Sequence, residues 1–159
     1  MKTVHPIPAF VPANAEILIL GSFPSVKSRE TGFFYGHKQN RFWKVLSADF
    51  SDKEPETISE KKAFLERNNI ALWDVIGSCE ITGSSDASIK NVEPNDISSL
   101  VNNTGIKKIF LNGKTAEKYY KKYVASSVEI TAKALPSTSP ANAAFSLEIL
   151  IEEWKEIRR

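Results

Sequence analysis

Short apolar runs alternate with helix-like segments along the chain. Four runs predict buried strands, at residues 17–20, 70–74, 107–111, and either 128–131 or 133–135. Helical patterns cover residues 42–49, 57–68, 115–123 and 141–157, the last of which is amphipathic. Ser59 is the expected N-cap of the second of these helices. A further helix is expected from its cap Asp96 to residue 103, with Gly105 just beyond its end. Strands that alternate with helices predict a parallel sheet that is covered on both faces.

A long polar segment interrupts this alternation. Residues 77–95 are rich in Ser and Gly, and a loop of that length is usually functional or disordered. We find no internal repeat and no linker that would divide the chain. A single domain over residues 1–159 is therefore expected.

Composition places the chain among ordinary globular proteins. The chain has 159 residues, of which 42% are hydrophobic and 25% charged, and its net charge of +2 does not by itself indicate nucleic-acid binding. The single cysteine, Cys79, excludes an intramolecular disulfide and a cysteine-based zinc cluster. No apolar run could span a bilayer and residues 1–5 do not open a signal peptide, so a cytoplasmic location is expected.

Polar turns follow three of the predicted strands. Gly21-Ser22 follows the first, Asn112-Gly113 the third, and residues 137–139 (Ser-Thr-Ser) the last. The carboxyl ends of parallel strands lie at one edge of the sheet, where α/β proteins bind ligands. We therefore expect these three turns to form one crevice.

A second motif, Gly-His-Lys-Gln-Asn-Arg-Phe-Trp at residues 36–43, supplies an amide, a guanidinium and two large rings. These groups suit a flat, polar, negatively charged ligand, and the chemistry therefore points to a nucleotide or a nucleic acid. An Asn side chain can bind a base edge with a donor and an acceptor, and an aromatic ring can stack on the base. No spacing matches a metal site, a phosphate-binding glycine loop or a nucleophile elbow.

Several motifs in one order resemble a known family. The turn Gly-Ser-Phe-Pro-Ser (21–25), the 36–43 motif, Phe-Leu-Asn-Gly (110–113) and Leu-Pro-Ser-Thr-Ser-Pro-Ala-Asn (135–142) are similar to the uracil-DNA glycosylase superfamily. Within it, the 36–43 motif, Ala-Leu-Trp-Asp-Val (71–75) and Gly-Ser-Ser-Asp-Ala (83–87) most resemble the hypoxanthine (deoxyinosine) DNA glycosylases. The resemblance covers about residues 18–142.

This resemblance implies a fold and an activity. The fold is an α/β protein, a three-layer α/β/α sandwich around a four-stranded parallel sheet. The activity is that of a monofunctional enzyme, without metal or cofactor, which flips a deaminated base out of DNA and hydrolyses its N-glycosidic bond. DNA that contains such a base is the implied partner, no membrane is involved, and a monomer is expected.

Two departures from the superfamily pattern affect the implied roles. Phe23 stands where many members carry the Asn or Asp that positions the attacking water, and that role passes to Asn40 in the hypoxanthine branch. Leu135 stands where many uracil-removing members carry a His that stabilises the departing base. Both departures weaken the expectation of uracil removal.

The resemblance assigns the remaining site residues. Asn112 binds the flipped base, Phe34 or else Phe33 stacks on it, and backbone N–H groups around Gly21, Ser22 and Phe23 line the pocket floor. His37 is a candidate for substrate or phosphate binding and Arg41 for a phosphate clamp. Residues Ser137, Thr138, Ser139 and Ala141 are expected to contact the DNA backbone or to insert beside the vacated stack.

Each role has a simpler alternative at the level of sequence. Asn40 could only cap the helix that follows, Asn112-Gly113 could be a plain turn, and Arg41 could pair with Asp74 or another acid. Phe42 and Trp43 are expected in the core, and the lysines of residues 114–122 could face DNA or only solvent. The alternative functions are a uracil or mismatch DNA glycosylase, a catalytically silent nucleic-acid-binding domain and a hydrolase of free nucleosides.

Overall fold

Two sheets and six α-helices form the fold of residues 1–158, which are the residues that this computed structural model describes. The strands are β1 (Lys2–Val4), β2 (Ile17–Gly21), β3 (Ile70–Asp74), β4 (Ile76–Glu80), β5 (Lys90–Pro94), β6 (Lys108–Asn112) and β7 (Ala132–Leu135). The helices are α1 (Val26–Thr31), α2 (Phe42–Asp49), α3 (Ile58–Arg67), α4 (Ile97–Asn102), α5 (Lys114–Tyr123) and α6 (Leu147–Trp154).

The central sheet is parallel and has the order β3-β2-β6-β7. This confirms the predicted four-stranded parallel sheet, with the second of the two alternatives for its last strand. Side chains alternate between two buried faces: Ile19 contributes to one core, and its neighbours Leu18 and Leu20 contribute to the other. Helices α2, α3 and α6 cover the first face, and α4 and α5 cover the second.

The register of this sheet places the predicted turns side by side. Gly21 lies opposite Asp74, and Asn112 lies opposite Leu135, so the carboxyl ends of all four strands meet at one edge. The residues that follow each strand therefore surround one opening, as the sequence predicted.

A second, antiparallel sheet was not predicted. It has the order β1-β4-β5, and strands β4 and β5 occupy about half of the polar segment 77–95 that the sequence identified as a loop. Strand β5 is mostly exposed, which leaves no apolar alternation in its sequence, and it is held by pairing with the better buried β4. Only residues 81–89 remain as a connection between these two strands.

The observed helix boundaries correct two predictions. Helix α3 is capped by Thr57, whose Oγ1 accepts a hydrogen bond from Glu60 N–H at 3.1 Å, rather than by Ser59. Helix α6 begins at Leu147 after the N-cap Ser146, so residues 141–146 form a loop where a helix was expected. Helix α4 begins after Asp96, as predicted. No helix within residues 1–158 is long and apolar enough to cross a bilayer.

Candidate active site

A cavity of about 350 Å³ opens at the carboxyl ends of the parallel strands. All of the site residues predicted from the sequence line it, except His37 and Arg41. Residues 81 and 84–86, from the connection between β4 and β5, complete one wall. The volume is within the range of small-molecule sites, and the lining combines amides, hydroxyls and rings.

A chain of hydrogen bonds joins the two candidate catalytic amides. Thr138 is wholly buried; its hydroxyl donates to Asn40 Oδ1 at 2.8 Å and accepts from Asn112 Nδ2 at 3.0 Å. The N–H of Thr138 donates to Asn112 Oδ1 at 3.0 Å. Thr138, which was predicted among the DNA contacts, is buried in this structure, and its hydrogen bonds fix the orientation of the two amides.

This network determines what Asn40 presents to the cavity. Its Oδ1 also accepts from Phe42 N–H at 3.0 Å and so binds the first residue of α2, while Arg41 occupies the N-cap position of that helix. Because both bonds reach the oxygen, the amide orientation is fixed and the Nδ2 group is the part left for a ligand. Asn40 can therefore hold a water by donating a hydrogen bond, although it cannot remove a proton from it.

Arg41 supports the loop that closes the cavity. Its guanidinium donates to the carbonyl oxygens of Phe145, of Ser139 at 3.0 Å and of Asn142 at 3.0 Å. It does not pair with Asp74, which is bonded to His5 instead. These contacts turn residues 139–145 around one side chain, which explains why the predicted helix does not begin at 141.

The other predicted residues occupy different depths. Phe34 lines the cavity, whereas Phe33 packs against Phe10 and Trp43 in the core. Ala141 is exposed at the tip of the loop 137–145, where it is free to meet DNA. His37 is exposed outside the cavity, and its Nδ1 accepts from Gln39 N–H at 3.1 Å.

Phe23 belongs to the floor of the cavity. It is 9% exposed, packs edge-on against the His5 ring at 5.6 Å, and lies beneath the Arg29 guanidinium. The turn that carries it ends at Ser25, whose Oγ caps α1 by accepting from Ser28 N–H at 3.1 Å. The floor is thus built from the first motif, but its side chain offers no polar atom to water.

The cavity also contains groups that the sequence reasoning missed. Asp74 and Asp86 bring two carboxyl groups to the site, and Tyr35 adds a hydroxyl. Asp74 could have been found, because it ends the second predicted strand at the same edge as the three turns. The sequence gave no indication of Tyr35, which lies inside a run of aromatic residues. It gave none of His5 either, because His5 is 69 positions away from its partner Asp74.

Burial and charge shape the chemistry of these groups. Burial, and then the negative charge of Asp74, raise the pKa of the Tyr35 hydroxyl, while the Asn112 side chain acts in the opposite direction. Tyr35 is therefore a protonated donor at neutral pH. Within residues 1–158, no three His, Cys, Asp or Glu side chains come together as metal ligands. The site offers neutral donors, one buried carboxyl group and a ring-lined space, an arrangement that suits binding of a planar heterocycle and hydrolysis of the bond that attaches it.

Comparisons with known proteins agree on one family. The model of the uracil DNA glycosylase superfamily matches residues 8–157. The chain is 36% identical over 154 residues to a hypoxanthine DNA glycosylase of Methanosarcina acetivorans, with 96% of each chain covered. It is 34% identical over 151 residues to a hypoxanthine DNA glycosylase of Methanosarcina barkeri, with 94% of each covered.

A solved structure shows the same architecture. The solution NMR structure of a candidate uracil DNA glycosylase from M. acetivorans superimposes with a TM-score of 0.81 at 30% identity and covers the whole of both chains. The superfamily match spans the four parallel strands and every residue that lines the cavity. The chain belongs to the uracil DNA glycosylase superfamily.

Proposed function

We propose that this protein is a DNA glycosylase that removes hypoxanthine from DNA and leaves an abasic site. The observation that carries the proposal is the cavity at the strand ends, where Asn40 presents its amide Nδ2 and Asn112 and Asp74 provide groups for a base. The two Methanosarcina relatives that bear the name hypoxanthine DNA glycosylase support the choice of base.

The depth of the cavity requires base flipping. Asn40, Asn112 and Phe34 lie among the strand ends, where a base that is still stacked in a duplex cannot reach them. A nucleotide turned out of the helix can enter, and extrusion costs least for a base that pairs poorly. The exposed Pro140 and Ala141, at the tip of the loop 137–145, are placed to fill the space that the base leaves.

Hydrolysis needs charge stabilisation and an oriented water. Breaking the N-glycosidic bond leaves positive charge on the sugar and negative charge on the departing base. Donors fixed before the reaction, including Asn112 and the backbone around Ser22 and Phe23, favour the departing base. Asn40 Nδ2 holds the water near the anomeric carbon, and the Thr138 hydroxyl prevents its amide from turning.

A panel of oligonucleotides tests the proposal. Duplexes with hypoxanthine, uracil, xanthine or no lesion are incubated with the protein, and abasic sites are then cleaved with alkali. Breaks with hypoxanthine but few with uracil are expected, because Phe23 and Leu135 replace polar groups of the uracil-removing members. Breaks mainly with uracil, salt-sensitive binding without breaks, or hydrolysis of free inosine alone would each contradict the proposal.

We also propose that the protein acts as a monomer in the cytoplasm. One chain supplies every wall of the cavity, so the site needs no second copy. Light scattering during gel filtration at micromolar concentration should give one mass near 17.7 kDa. A stable dimer mass would contradict the expected monomer.

A further inference from the structure

A buried hydroxyl beside the cavity has no acceptor for its proton. Tyr35 lines the cavity and its hydroxyl is shielded from solvent; the Asn112 side chain acts on the hydroxyl oxygen, but no group within residues 1–158 accepts the hydroxyl proton. Buried polar atoms in folded proteins are almost always bonded, and at the candidate active site a bound ligand can supply the acceptor that this hydroxyl lacks.

The position of this hydroxyl is maintained by unusual backbone geometry. Tyr35 has a φ of +53°, in the left-handed region that non-glycine residues seldom adopt. Its ring stacks on Phe42 with centroids 3.8 Å apart, and its carbonyl accepts from Trp43 Nε1 at 3.2 Å. A strained residue that its surroundings fix in this way is typical of a binding site.

The Asp74 carboxylate lies close to the same point. A Cβ added to Gly21 would be 2.5 Å from Asp74 Oδ1 and 3.2 Å from the Tyr35 hydroxyl oxygen. Glycine at this position therefore leaves room for both groups. Both groups lie beside Gly21 at the end of β2, where the Tyr35 hydroxyl is a hydrogen-bond donor and the Asp74 carboxyl oxygen is an acceptor.

His5 fixes the orientation of that carboxylate. Ile7 N–H donates to His5 Nδ1 at 3.2 Å, so Nε2 carries the ring proton and donates to Asp74 Oδ2 at 2.7 Å. Both side chains are buried, with 3% and 5% of their surface exposed. Because Oδ2 is bonded to the ring, Oδ1 is left to face the cavity beside Gly21.

One donor beside one acceptor matches a particular base edge. Hypoxanthine, xanthine and uracil each carry a carbonyl next to a ring N–H, an arrangement called a lactam, which guanine and thymine share. Adenine and cytosine carry an amino group next to a bare ring nitrogen, which is the opposite pattern. A hydroxyl donor and a carboxylate acceptor satisfy the lactam, whereas the carboxylate repels the lone pair of adenine N1.

We propose that the Tyr35 hydroxyl donates to the carbonyl of a flipped lactam base, that Asp74 Oδ1 accepts its ring N–H, and that His5 is the positioning residue for Asp74. The inference rests on the proposed function and adds to it the chemical feature that separates a deaminated base from its amino-bearing parent, adenine or cytosine. His5 lies outside residues 8–157, the part of the chain that the superfamily model matches, whereas Tyr35 and Asp74 lie within it.

The test compares hypoxanthine with a purine base that lacks the lactam. Duplexes containing 2′-deoxyinosine or 2′-deoxynebularine, whose base has no carbonyl and a bare N1, are assayed for single-turnover excision and for equilibrium binding. The quantity measured is the ratio of inosine to nebularine. Tyr35→Phe should lower the ratio about 10-fold, and Asp74→Asn about 100-fold, since Asn can donate to the bare N1.

His5 is tested through the same ratio. His5→Ala should lower it about 10-fold by freeing the carboxylate, and His5→Gln, which keeps a donor near the position of Nε2, should restore most of it. A residue with only a structural role would lower both rates together and leave the ratio unchanged.

Two matched controls separate this effect from general damage. Tyr120→Phe removes another buried, unpartnered tyrosine hydroxyl that lines a separate cavity, and Asp49→Asn neutralises a buried carboxylate away from the site. Both should keep the wild-type ratio. Wild-type ratios for Tyr35→Phe, Asp74→Asn and His5→Ala in excision and binding would overturn the inference. A wild type that binds inosine preferentially but does not excise it would contradict the proposed function alone.

Discussion

Replacing Asn40 by Ala removes the group that we assign to the attacking water. The variant loses the Nδ2 donor in the cavity and two bonds to Oδ1, from Phe42 N–H and the Thr138 hydroxyl. Loss of one preorganised donor typically costs about 100- to 1000-fold in rate. Loss of the bond from Phe42 N–H and of the hydroxyl bond should lower the free energy of unfolding by about 1–2 kcal/mol.

The assay must separate these two losses. Single-turnover excision of hypoxanthine from a labelled duplex gives the chemical rate, and urea denaturation gives the free energy of unfolding. Thr57→Ala is the matched control. It removes the N-cap of α3, in which Thr57 Oγ1 accepts a hydrogen bond from Glu60 N–H at 3.1 Å, and this helix end lies away from the residues that line the cavity. It should lose about 1 kcal/mol of stability with little change in rate.

The reasoning would be refuted by an Asn40→Ala variant that excises hypoxanthine within about threefold of the wild-type rate. A loss of similar size in Thr57→Ala would also refute it, since lowered stability would then explain both. A folded, inactive Asn40→Ala beside an active Thr57→Ala is the expected result.

Three further changes test other parts of the account. Gly21→Ala places a Cβ 2.5 Å from Asp74 Oδ1, so excision should fall at least about 10-fold in single-turnover assays while the circular dichroism spectrum is kept. Arg41→Lys replaces the two guanidinium nitrogens that bind the three carbonyls by a single ammonium nitrogen, which cannot reach both positions, and amide exchange in residues 139–145 should therefore rise. Burial raises the pKa of Asp49 from 3.8 to about 6, so its ionisation opposes folding above that pH. Because the pKa of Asp49 is higher in the folded state than in the unfolded state, the wild type should lose stability as the pH rises from about 4 to about 7. Asp49→Asn should remove this loss and should stabilise the protein by on the order of 1–3 kcal/mol at pH 8. Unchanged denaturation curves would contradict this expectation.

The core strands were predictable because their patterns are strong and local. Residues 17–20 and 70–74 are almost wholly apolar, as buried parallel strands must be, and the turn after the first strand follows directly. The rule that parallel strands end at one edge then located the cavity without any three-dimensional information. That part of the site follows from chain order alone.

The rest depends on contacts between distant residues. Strand β5 has no alternating pattern, and it exists because β4 offers it an edge. The loop that replaces the start of the last helix is fixed by Arg41, about a hundred residues earlier in sequence. The pairing of His5 with Asp74 spans 69 positions, and no local pattern indicates it.

Chemistry inside the cavity was predicted only in part. The sequence indicated Asn40, Asn112 and Thr138 as separate functional residues, but the structure joins them into one hydrogen-bonded unit. In that unit, Thr138 orients the two amides and each amide has only part of its bonding capacity left for a ligand. Orientation of this kind depends on which atom each partner meets, and a residue type alone does not reveal it.

The most direct test of the central claim is to identify the products released from DNA. A duplex with one hypoxanthine is incubated with excess protein, the free bases are quantified by mass spectrometry, and the strand is examined before and after alkali. The account predicts one free hypoxanthine per duplex and a strand that stays intact until alkali breaks it at the abasic site. Absence of free hypoxanthine would contradict the account. Release of hypoxanthine at the wild-type rate by the Gly21→Ala variant, whose added Cβ meets Asp74 Oδ1, would contradict it as well.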